Sequence, residues 1–542
     1  MLCTIGALLF IPFLGEAHLF DWDEVNFAEA AREMLVTGNY SYVQINFKPF
    51  WEKPPLFIWM QALSMSAFGI NEFAARLPNA ICGILTILVL FNIGNRLISK
   101  NFGLLWVLVY FGSFLPQTYF RTGIIDPWFN LFIFACIHQL ILATRKQEIE
   151  RIRIVFSAVL IGLAVLTKGP TAFALLGVCC AIYFVLSFKK HHWNFIDPLL
   201  YLIIVVAVGF SWFFIEIARG HGYVVQEFID YHIRLLSQSE AGHGQPFYYH
   251  PIVLLLGCFP MSLFFIFSWF NKDKPGQKIS HYQKWMTILF WVVLIVFSIV
   301  KTKIIHYSSL TYFPMSFLAA FFIYEAIKSK RKFSSALHFL ILVYVLLFGT
   351  TFLLASAMEK IQVPLLQLLT NDSLAHGNFS QSIPDGSIDW LAGVLLIIGG
   401  IGAVVFLVRG KQKIGVLSLF GTGIVAVSLM LFMLAPKIDK YTQSSLFSFY
   451  EKHAQSHYLQ PLAMHSYAHL FYGKRNPLPV KTDDEPKWLL FEKVDKPVFF
   501  IVRAHDLGKT LGYFPHLKEI SKKGGYVILE RTDPDYPFLG SP

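Results

Sequence analysis

Apolar runs separated by short polar segments occupy most of the chain as far as residue 435. A helical run of about 17–23 apolar residues is long enough to cross the hydrocarbon core of a bilayer. We therefore predict an all-α polytopic membrane protein with about thirteen transmembrane helices. Because no A-x-A-like cleavage site precedes Asp21, we expect the first run to be a retained span rather than a signal peptide. The predicted spans lie near residues 2–16, 79–97, 102–120, 127–144, 154–167, 170–188, 196–216, 251–270, 284–300, 306–327, 335–357, 389–408 and 414–435.

Basic residues cluster in the short segments between these runs, and such clusters mark the cytoplasmic side of a membrane protein. With this set of spans, all the clusters fall on one face. The N-terminus is then cytoplasmic, and the longer loops 17–78, 217–250 and 358–388 lie on the outer face of the membrane. Counting the apolar stretch 56–69 as a span would reverse every later loop, so we predict a helix lying on the outer surface there. The clusters are Arg96/Lys100, Arg145/Lys146/Arg151/Arg153, Lys189/Lys190, Lys272/Lys274/Lys278, Lys328/Lys330/Arg331/Lys332 and Arg409/Lys411/Lys413.

The composition changes after Pro436. Residues 437–542 mix polar and apolar positions, with β-rich runs at 498–502 and 526–529 and a helical stretch near 445–456. We predict that residues 1–436 form the transmembrane domain and that residues 437–542 form a small α/β domain on the outer face. The six cysteines all lie in apolar runs, so the sequence indicates neither a disulfide framework nor a cysteine metal site.

Composition excludes a soluble protein. The chain is 55% hydrophobic and 15% charged, and its mean hydropathy is +0.54. Membrane orientation explains the net charge of +11, so we expect no nucleic-acid partner. We find no glycine-rich phosphate loop and expect no nucleotide cofactor.

Acidic and basic residues gather in the first outer loop, within Asp23-Glu24, Ala28-Glu29-Ala30-Ala31-Arg32-Glu33-Met34 and Trp51-Glu52-Lys53-Pro54-Pro55-Leu56. Ionisable groups at the edge of a bilayer are costly, and their default interpretation is functional. A carboxylate pair can accept a proton, and a lysine can hold a phosphate. The loop therefore suggests transfer chemistry on a lipid phosphate.

Further motifs follow along the chain: Glu72-Phe73-Ala74-Ala75-Arg76-Leu77-Pro78, Thr122-Gly123-Ile124-Ile125-Asp126-Pro127, Leu166-Thr167-Lys168-Gly169-Pro170 and Lys301-Thr302-Lys303-Ile304-Ile305-His306-Tyr307. With the motifs of the first outer loop and in this order, they resemble the protein O-mannosyltransferase superfamily. The resemblance is greatest to the branch that contains the bacterial lipid A aminoarabinose transferases, and it spans roughly residues 1–330. It implies a GT-C membrane glycosyltransferase that takes sugar from a polyprenyl-phosphate donor. The aminoarabinose transferases usually carry Thr-Arg-Tyr after the acidic pair, whereas this chain has Val25-Asn26-Phe27, a departure that bears on the sugar more than on the reaction.

The resemblance implies an acidic catalytic centre. Asp23 is the candidate base, the adjacent Glu24 is also a candidate catalytic residue, and Asp126 is the second acidic residue of the site. The alternative is structural: Asp23 and Glu24 would begin a helix over 24–36, where acids favour the macrodipole, and Asp126 with Pro127 would begin another. Asp21 is a competitor that we interpret as a solvated loop acid.

Cations near these acids are candidates for the donor phosphate. Lys53 is held extended by the following Pro-Pro step and can stabilise a leaving phosphate, although it could equally snorkel to lipid head groups. Lys301 and Lys303 run against the positive-inside trend and with Tyr307 suggest a phosphate-binding corner, or alternatively a short basic turn. Arg234 is a further candidate, and Lys168 is also on the outer side but could simply end a span.

The resemblance also suggests a divalent metal, zinc or a similar ion, at Glu52 and His232. Two ligands make a weak zinc site, and Glu52 could instead pair with Lys53 while His232 serves as an ordinary loop residue. His243 and His250 are weaker candidates.

We predict a glycosyltransferase that transfers sugar from a polyprenyl phosphate to a lipid A-like glycolipid on the periplasmic face. A protein O-mannosyltransferase acting on secreted proteins is the first alternative. A lipid-phosphate transporter or flippase is the alternative from another class, although transporters commonly show repeated halves, and no repeat is evident here.

Overall fold

The computed structural model describes residues 1–144, 150–187, 196–237, 244–270, 277–386, 388–479 and 484–531. As far as residue 436, the described part of the chain is mainly helical. Its helices are α1 (Leu2–Phe10), α2 (Asp23–Thr37), α3 (Leu56–Phe68), α4 (Glu72–Leu97), α5 (Lys100–Phe111), α6 (Phe114–Thr118), α7 (Asp126–Ala143), α8 (Arg151–Lys168), α9 (Thr171–Ser187), α10 (Ile196–Gly209), α11 (Ser211–Ala218), α12 (Tyr223–Ser237), α13 (Tyr249–Gly257), α14 (Met261–Ser268), α15 (Gln277–Ile299), α16 (Tyr312–Lys328), α17 (Ser335–Ser356), α18 (Met358–Leu368), α19 (Ser373–Phe379), α20 (Leu391–Val408) and α21 (Gln412–Asp439).

Among the described residues, seven helices are long and apolar enough to cross a membrane, or up to nine if the bent pairs α10–α11 and α13–α14 each form one span. This architecture is that of a multi-pass membrane protein. The nine lie in nine of the predicted spans. The remaining predicted spans coincide with α1, α5–α6, α8 and α9, which are shorter or less apolar.

Proline and close packing account for the interruptions. Helix α1 ends at Phe10, two residues before Pro12, whose nitrogen carries no hydrogen with which to continue the helix. The 112° bend between α13 and α14 contains Pro260. At the break between α5 and α6, a Cβ on Gly112 would lie 2.7 Å from the Cβ of Phe420. Hydropathy therefore predicted where these spans lie but not that they bend.

Helices α2 and α3 pack together beside the first long helix. Helix α2 confirms the helix predicted over 24–36, and it ends at Gly38, whose φ of 70° is the left-handed conformation that glycine adopts readily. Helix α3 confirms a helix at 56–69, and its Phe57, Ile58 and Met65 are buried. The short hairpin of β1 (Gln44–Ile45) and β2 (Lys48–Pro49) connects the two helices.

The chain after residue 440 contains a four-stranded sheet. Strands β3 and β4 are parallel, β6 is antiparallel to β4 and β5, and the order is β3-β4-β6-β5. The predicted β-rich runs are confirmed as β4 and β6, and the predicted helix near 445–456 is confirmed as α22. The elements are α22 (Ser445–His453), β3 (Tyr458–Pro461), α23 (Ala468–Phe471), α24 (Glu485–Phe491), β4 (Val498–Arg503), α25 (Leu507–Tyr513), β5 (Leu517–Lys523) and β6 (Tyr526–Arg531).

This C-terminal segment is attached to the first outer loop by polar contacts. Arg32 on α2 donates to the backbone oxygen of Arg475 at 2.8 Å, and Asn46 donates to Glu485 at 2.5 Å. The hydroxyl of Tyr472 accepts from the backbone N–H of Leu19 at 2.7 Å. The loop that begins α2 is therefore held between the helical bundle and the sheet.

Candidate functional site

The N-terminus of α2 is anchored by a buried ion pair. Glu24 is 3% exposed, and its carboxylate accepts hydrogen bonds from Nε and Nη2 of Arg76, both at 2.9 Å. It also accepts from the backbone N–H of Phe20 at 2.9 Å and from that of Gly123. Because four donors occupy its two oxygens, Glu24 has little capacity left for a substrate. Its geometry is that of a positioning residue rather than of the catalytic acid that the motif suggested.

Asp23 precedes this anchor and faces a histidine. Nε2 of His306 lies 3.2 Å from Oδ2 of Asp23 and 3.6 Å from Oδ2 of Asp126. The Asp23 side chain is 26% exposed and that of Asp126 only 3%. The structure therefore brings together the two predicted acids through His306, and of the two carboxylates Asp23 is the accessible one.

A lysine completes the buried side of this acidic centre. Nζ of Lys168 lies 2.5 Å from Oδ1 of Asp126, and its ammonium also lies over the ring of Tyr307, 4.7 Å from the centroid. Asp126 is placed at the start of α7 by Asn79, which donates to the backbone oxygens of Thr122 and Ile124 at 2.6 Å. Lys168 is therefore the cation that pairs with Asp126.

The surrounding charges favour an ionised Asp23. Burial alone would raise the pKa of this carboxyl. The hydrogen bond and charge of His306 and the charges of Lys53 and Lys168 outweigh it, so the pKa of Asp23 is held below its ordinary value. Asp23 is thus a carboxylate at neutral pH, the form required of a proton acceptor.

Lys53 is the second cation of the centre. It is 9% exposed, and its ammonium lies 4.9 Å from the centroid of the Tyr231 ring. Burial lowers the pKa of Lys53, while the charges of Glu52 and Asp23 act in the opposite direction. An anionic ligand beside Lys53 would favour its charged form. A lysine in such surroundings is suited to a phosphate.

The other predicted phosphate contacts are not all joined to this centre. Tyr307 is joined through Lys168. The guanidinium of Arg234 lies 6.0 Å from the centroid of Tyr231. Nζ of Lys303 donates to the backbone oxygen of Val300 at 2.6 Å, and Lys301 is exposed. In the described ranges, no hydrogen bond or ion pair links either lysine to the acidic centre.

Glu52 and His232 fit a metal poorly. Burial and the charges of Lys53 and Lys168 lower the pKa of His232 to about 4, so its imidazole is neutral, as a ligand must be. Its Nδ1 bonds the backbone oxygen of Phe228 at 2.8 Å, which leaves Nε2 as the nitrogen for a ligand, but Glu52 hydrogen-bonds Tyr231. No group of three or more candidate ligands occurs among the described residues, and a nearby ammonium disfavours a second cation. No step of the proposed mechanism uses a metal.

Sequence reasoning missed His306 and gave no role in chemistry to Lys168. Both lie in the motifs quoted above, but only the fold shows that they meet Asp23 and Asp126. The available signal was that His306 directly precedes Tyr307, a predicted contact of the donor, in a motif on the outer side of the membrane. Of the weaker metal candidates, His250 is buried against the hydroxyl of Ser308 at 3.1 Å, and His243 lies outside the described residues.

Comparison with known sequences gives a match to one family profile and to several relatives. Residues 52–214 match the profile of the family described as dolichyl-phosphate-mannose-protein mannosyltransferase. An uncharacterised protein of Aquifex aeolicus is 29% identical over 299 residues, which cover 54% of this chain and 65% of the relative. The undecaprenyl phosphate-alpha-4-amino-4-deoxy-L-arabinose arabinosyl transferase of Photorhabdus laumondii is 25% identical, with 76% of this chain and 73% of the relative covered.

Comparison with solved structures extends over nearly the whole chain. ArnT from Cupriavidus metallidurans, bound to undecaprenyl phosphate, matches with a TM-score of 0.77 at 18% identity, covering 99% of this chain and 98% of that one. The oligosaccharyltransferase of Archaeoglobus fulgidus matches with a TM-score of 0.53 at 10% identity, covering 94% and 70%. The fold is therefore shared with ArnT over nearly the whole chain, and with the oligosaccharyltransferase more distantly. The resemblance predicted from the motifs, to the protein mannosyltransferases and the aminoarabinose transferases, is confirmed by these matches.

Proposed function

We propose that the chain is a membrane glycosyltransferase that uses a polyprenyl-phosphate sugar as donor. The observation that carries this proposal is the accessible carboxylate of Asp23 held by His306, with Lys53 and the Asp126–Lys168 pair around it. The fold is shared with a structure that contains undecaprenyl phosphate, and the sequence relatives include transferases named for undecaprenyl-phosphate sugars.

In the proposed reaction, the acceptor hydroxyl attacks the anomeric carbon of the donor sugar while Asp23 takes the hydroxyl proton. The bond between the anomeric carbon and the phosphate oxygen breaks, and the polyprenyl phosphate leaves with both electrons. Attack opposite the leaving group inverts the anomeric configuration. Lys53 stabilises the charge that develops on the phosphate, as a preorganised cation does in a water-poor site.

The remaining residues position these groups. His306 orients Asp23. Asp126, which is paired with Lys168, also faces Nε2 of His306 and helps to hold the imidazole in place. Glu24 anchors the first turn of α2. Tyr307 and Arg234 are proposed as further contacts to the donor, and Lys301 and Lys303 as further cations for its phosphate.

The acceptor that we propose is a lipid A-like glycolipid. The names of the arabinosyl transferases among the relatives support this choice. A protein hydroxyl is the second candidate, and the match of residues 52–214 to a protein mannosyltransferase profile favours it.

We also propose the topology that the loop charges predicted. About thirteen spans would cross the bacterial inner membrane, with a cytoplasmic N-terminus and with residues 437–542 as a periplasmic α/β domain. The short apolar helices α5 and α9 and the bent pairs support this count. A divalent metal at Glu52 and His232 stays a proposal without a role in the reaction.

The test is a transfer assay with purified full-length protein, a radiolabelled polyprenyl-phosphate sugar and either lipid A or a denatured secreted protein. We expect label to move to lipid A without added nucleotide. Label on the protein alone would identify a protein hydroxyl, the second candidate, as the acceptor. Absence of label from both, with donor still bound, would contradict transferase activity.

A further inference from the structure

A second polar cavity lies in the C-terminal segment, apart from the acidic centre. Its volume is about 220 Å³, and it lies among α22, the start of β3, the end of α23 and the loop before β4. The side chains that give it its chemistry are His457, His469, Lys474, Arg475, Asp495 and Lys496. Nothing in the transfer reaction proposed above uses these residues.

Two buried nitrogens of this cavity lack partners. His469 is 7% exposed and Arg475 is 8% exposed, yet neither Nδ1 of His469 nor Nε of Arg475 has a hydrogen-bond partner among the described residues. Buried polar atoms are almost always paired, with protein groups or with water, so nitrogens left unpaired beside a cavity are suited to a bound ligand. A ligand with oxygen atoms would satisfy the guanidinium of Arg475.

The charges of the cavity favour an anion. Lys474 and Lys496 are exposed, and neither forms an ion pair in the described part of the chain. Arg475 is paired with Glu485, and the carboxylate of Asp495 accepts from the hydroxyl of Tyr458 at 2.8 Å. The two lysines therefore outnumber the one remaining carboxylate, which is already engaged.

The backbone conformation also positions one of these lysines, Lys474. Lys474 has a φ of 47° and follows α23 at a position where glycine is common, and the N–H of Arg475 bonds the oxygen of Leu470. A lysine in this conformation is strained, and strain of this kind is often associated with a binding role. The turn places Lys474 next to Arg475 at the mouth of the cavity.

We propose that this cavity binds a phosphate ester. Phosphate oxygens suit the lysine ammoniums and the free Nε of Arg475, and a neighbouring hydroxyl would suit His469, whose pKa burial lowers to about 3 so that its imidazole is neutral. The site is separate from the acidic centre, because Arg32, which contacts Arg475, lies nine residues or about 14 Å along α2 from Asp23. The proposal goes beyond the transferase function and does not depend on it.

The experiment is calorimetric titration of full-length protein in detergent with glucose 6-phosphate, with glucose as the uncharged comparison. We expect saturable binding of the phosphate ester only. Lys474→Gln together with Lys496→Gln should weaken it at least tenfold. Lys518→Gln, at an exposed lysine of β5, serves as the matched control and should leave it unchanged.

A further variant separates this site from the donor site. Binding should survive Lys53→Gln, because Lys53 belongs to the acidic centre. Competition by phosphatidic acid in mixed micelles would identify a lipid head group as the better ligand, and its absence would identify a soluble phosphate ester. Equal binding by the double lysine variant, or loss of binding in Lys53→Gln alone, would overturn the proposal.

Discussion

Replacement of Asp23 by asparagine tests the role of the carboxylate while keeping its shape. Asparagine is close in size, and its side-chain oxygen can still face Nε2 of His306 at the observed 3.2 Å. The anchor formed by Glu24 is untouched. What is lost is the negative charge that accepts the proton of the acceptor hydroxyl.

The expected effect can be estimated from the proton transfer alone. General base catalysis contributes about 10²–10⁴-fold to a rate, which is about 3–5 kcal/mol of transition-state stabilisation. We therefore expect kcat of Asp23→Asn to fall by about two to four orders of magnitude. The donor concentration for half-maximal rate should change little, because the cation Lys53 remains.

The assay is transfer of radiolabelled sugar from a polyprenyl phosphate, measured over a range of donor concentrations. Asp21→Asn is the matched control, because Asp21 lies two residues earlier and its carboxyl hydrogen-bonds Ser466 rather than the acidic centre. Its rate should stay within about twofold, because the substitution keeps the size of the side chain and changes none of the reacting groups. A nearly normal kcat for Asp23→Asn, or an equal loss for Asp21→Asn, would refute the assignment of Asp23 as the base.

Four further outcomes are expected. Because the pKa of Asp23 is depressed, its carboxylate form is lost only as pH falls through that lowered value, so His306→Ala should move the acid limb of kcat/KM to higher pH; an unmoved limb would contradict the contact. Lys53→Gln should raise the KM for donor more than it lowers the donor-saturated rate, and an unchanged KM would remove Lys53 from the donor site. Glu24→Ala should destabilise the fold by about 3–5 kcal/mol by leaving a buried arginine unpaired, seen as a lower melting temperature; an unchanged melting temperature would contradict the anchor. Activity should survive EDTA, because no step of the proposed reaction uses a metal; loss of activity that zinc restores would instead give a metal at Glu52 and His232 a role in the reaction.

Local patterns were sufficient to predict much of the fold. A helix such as α17 is apolar throughout its length, so hydropathy alone locates it. The strands β4 and β6 were likewise visible as short β-rich runs. The bends were not visible, because they depend on contacts such as that of Gly112 with Phe420, which join residues far apart in the sequence.

The candidate site divides in the same way. Asp23 and Asp126 could be proposed because each opens a helix within a recognisable motif. His306 lies between Asp23 and Asp126 because the segment before α16 packs against two other elements. No local sequence pattern predicts that packing. Glu24 looked catalytic because it adjoins Asp23, but Arg76, some fifty residues later, occupies it.

The most direct test of the central claim is a structure of the Asp23→Asn variant with an intact polyprenyl-phosphate sugar. The account predicts the donor phosphate within hydrogen-bond distance of Nζ of Lys53, with the anomeric carbon facing the side chain at position 23. A donor bound with its phosphate away from Lys53 and its sugar remote from position 23 would contradict it.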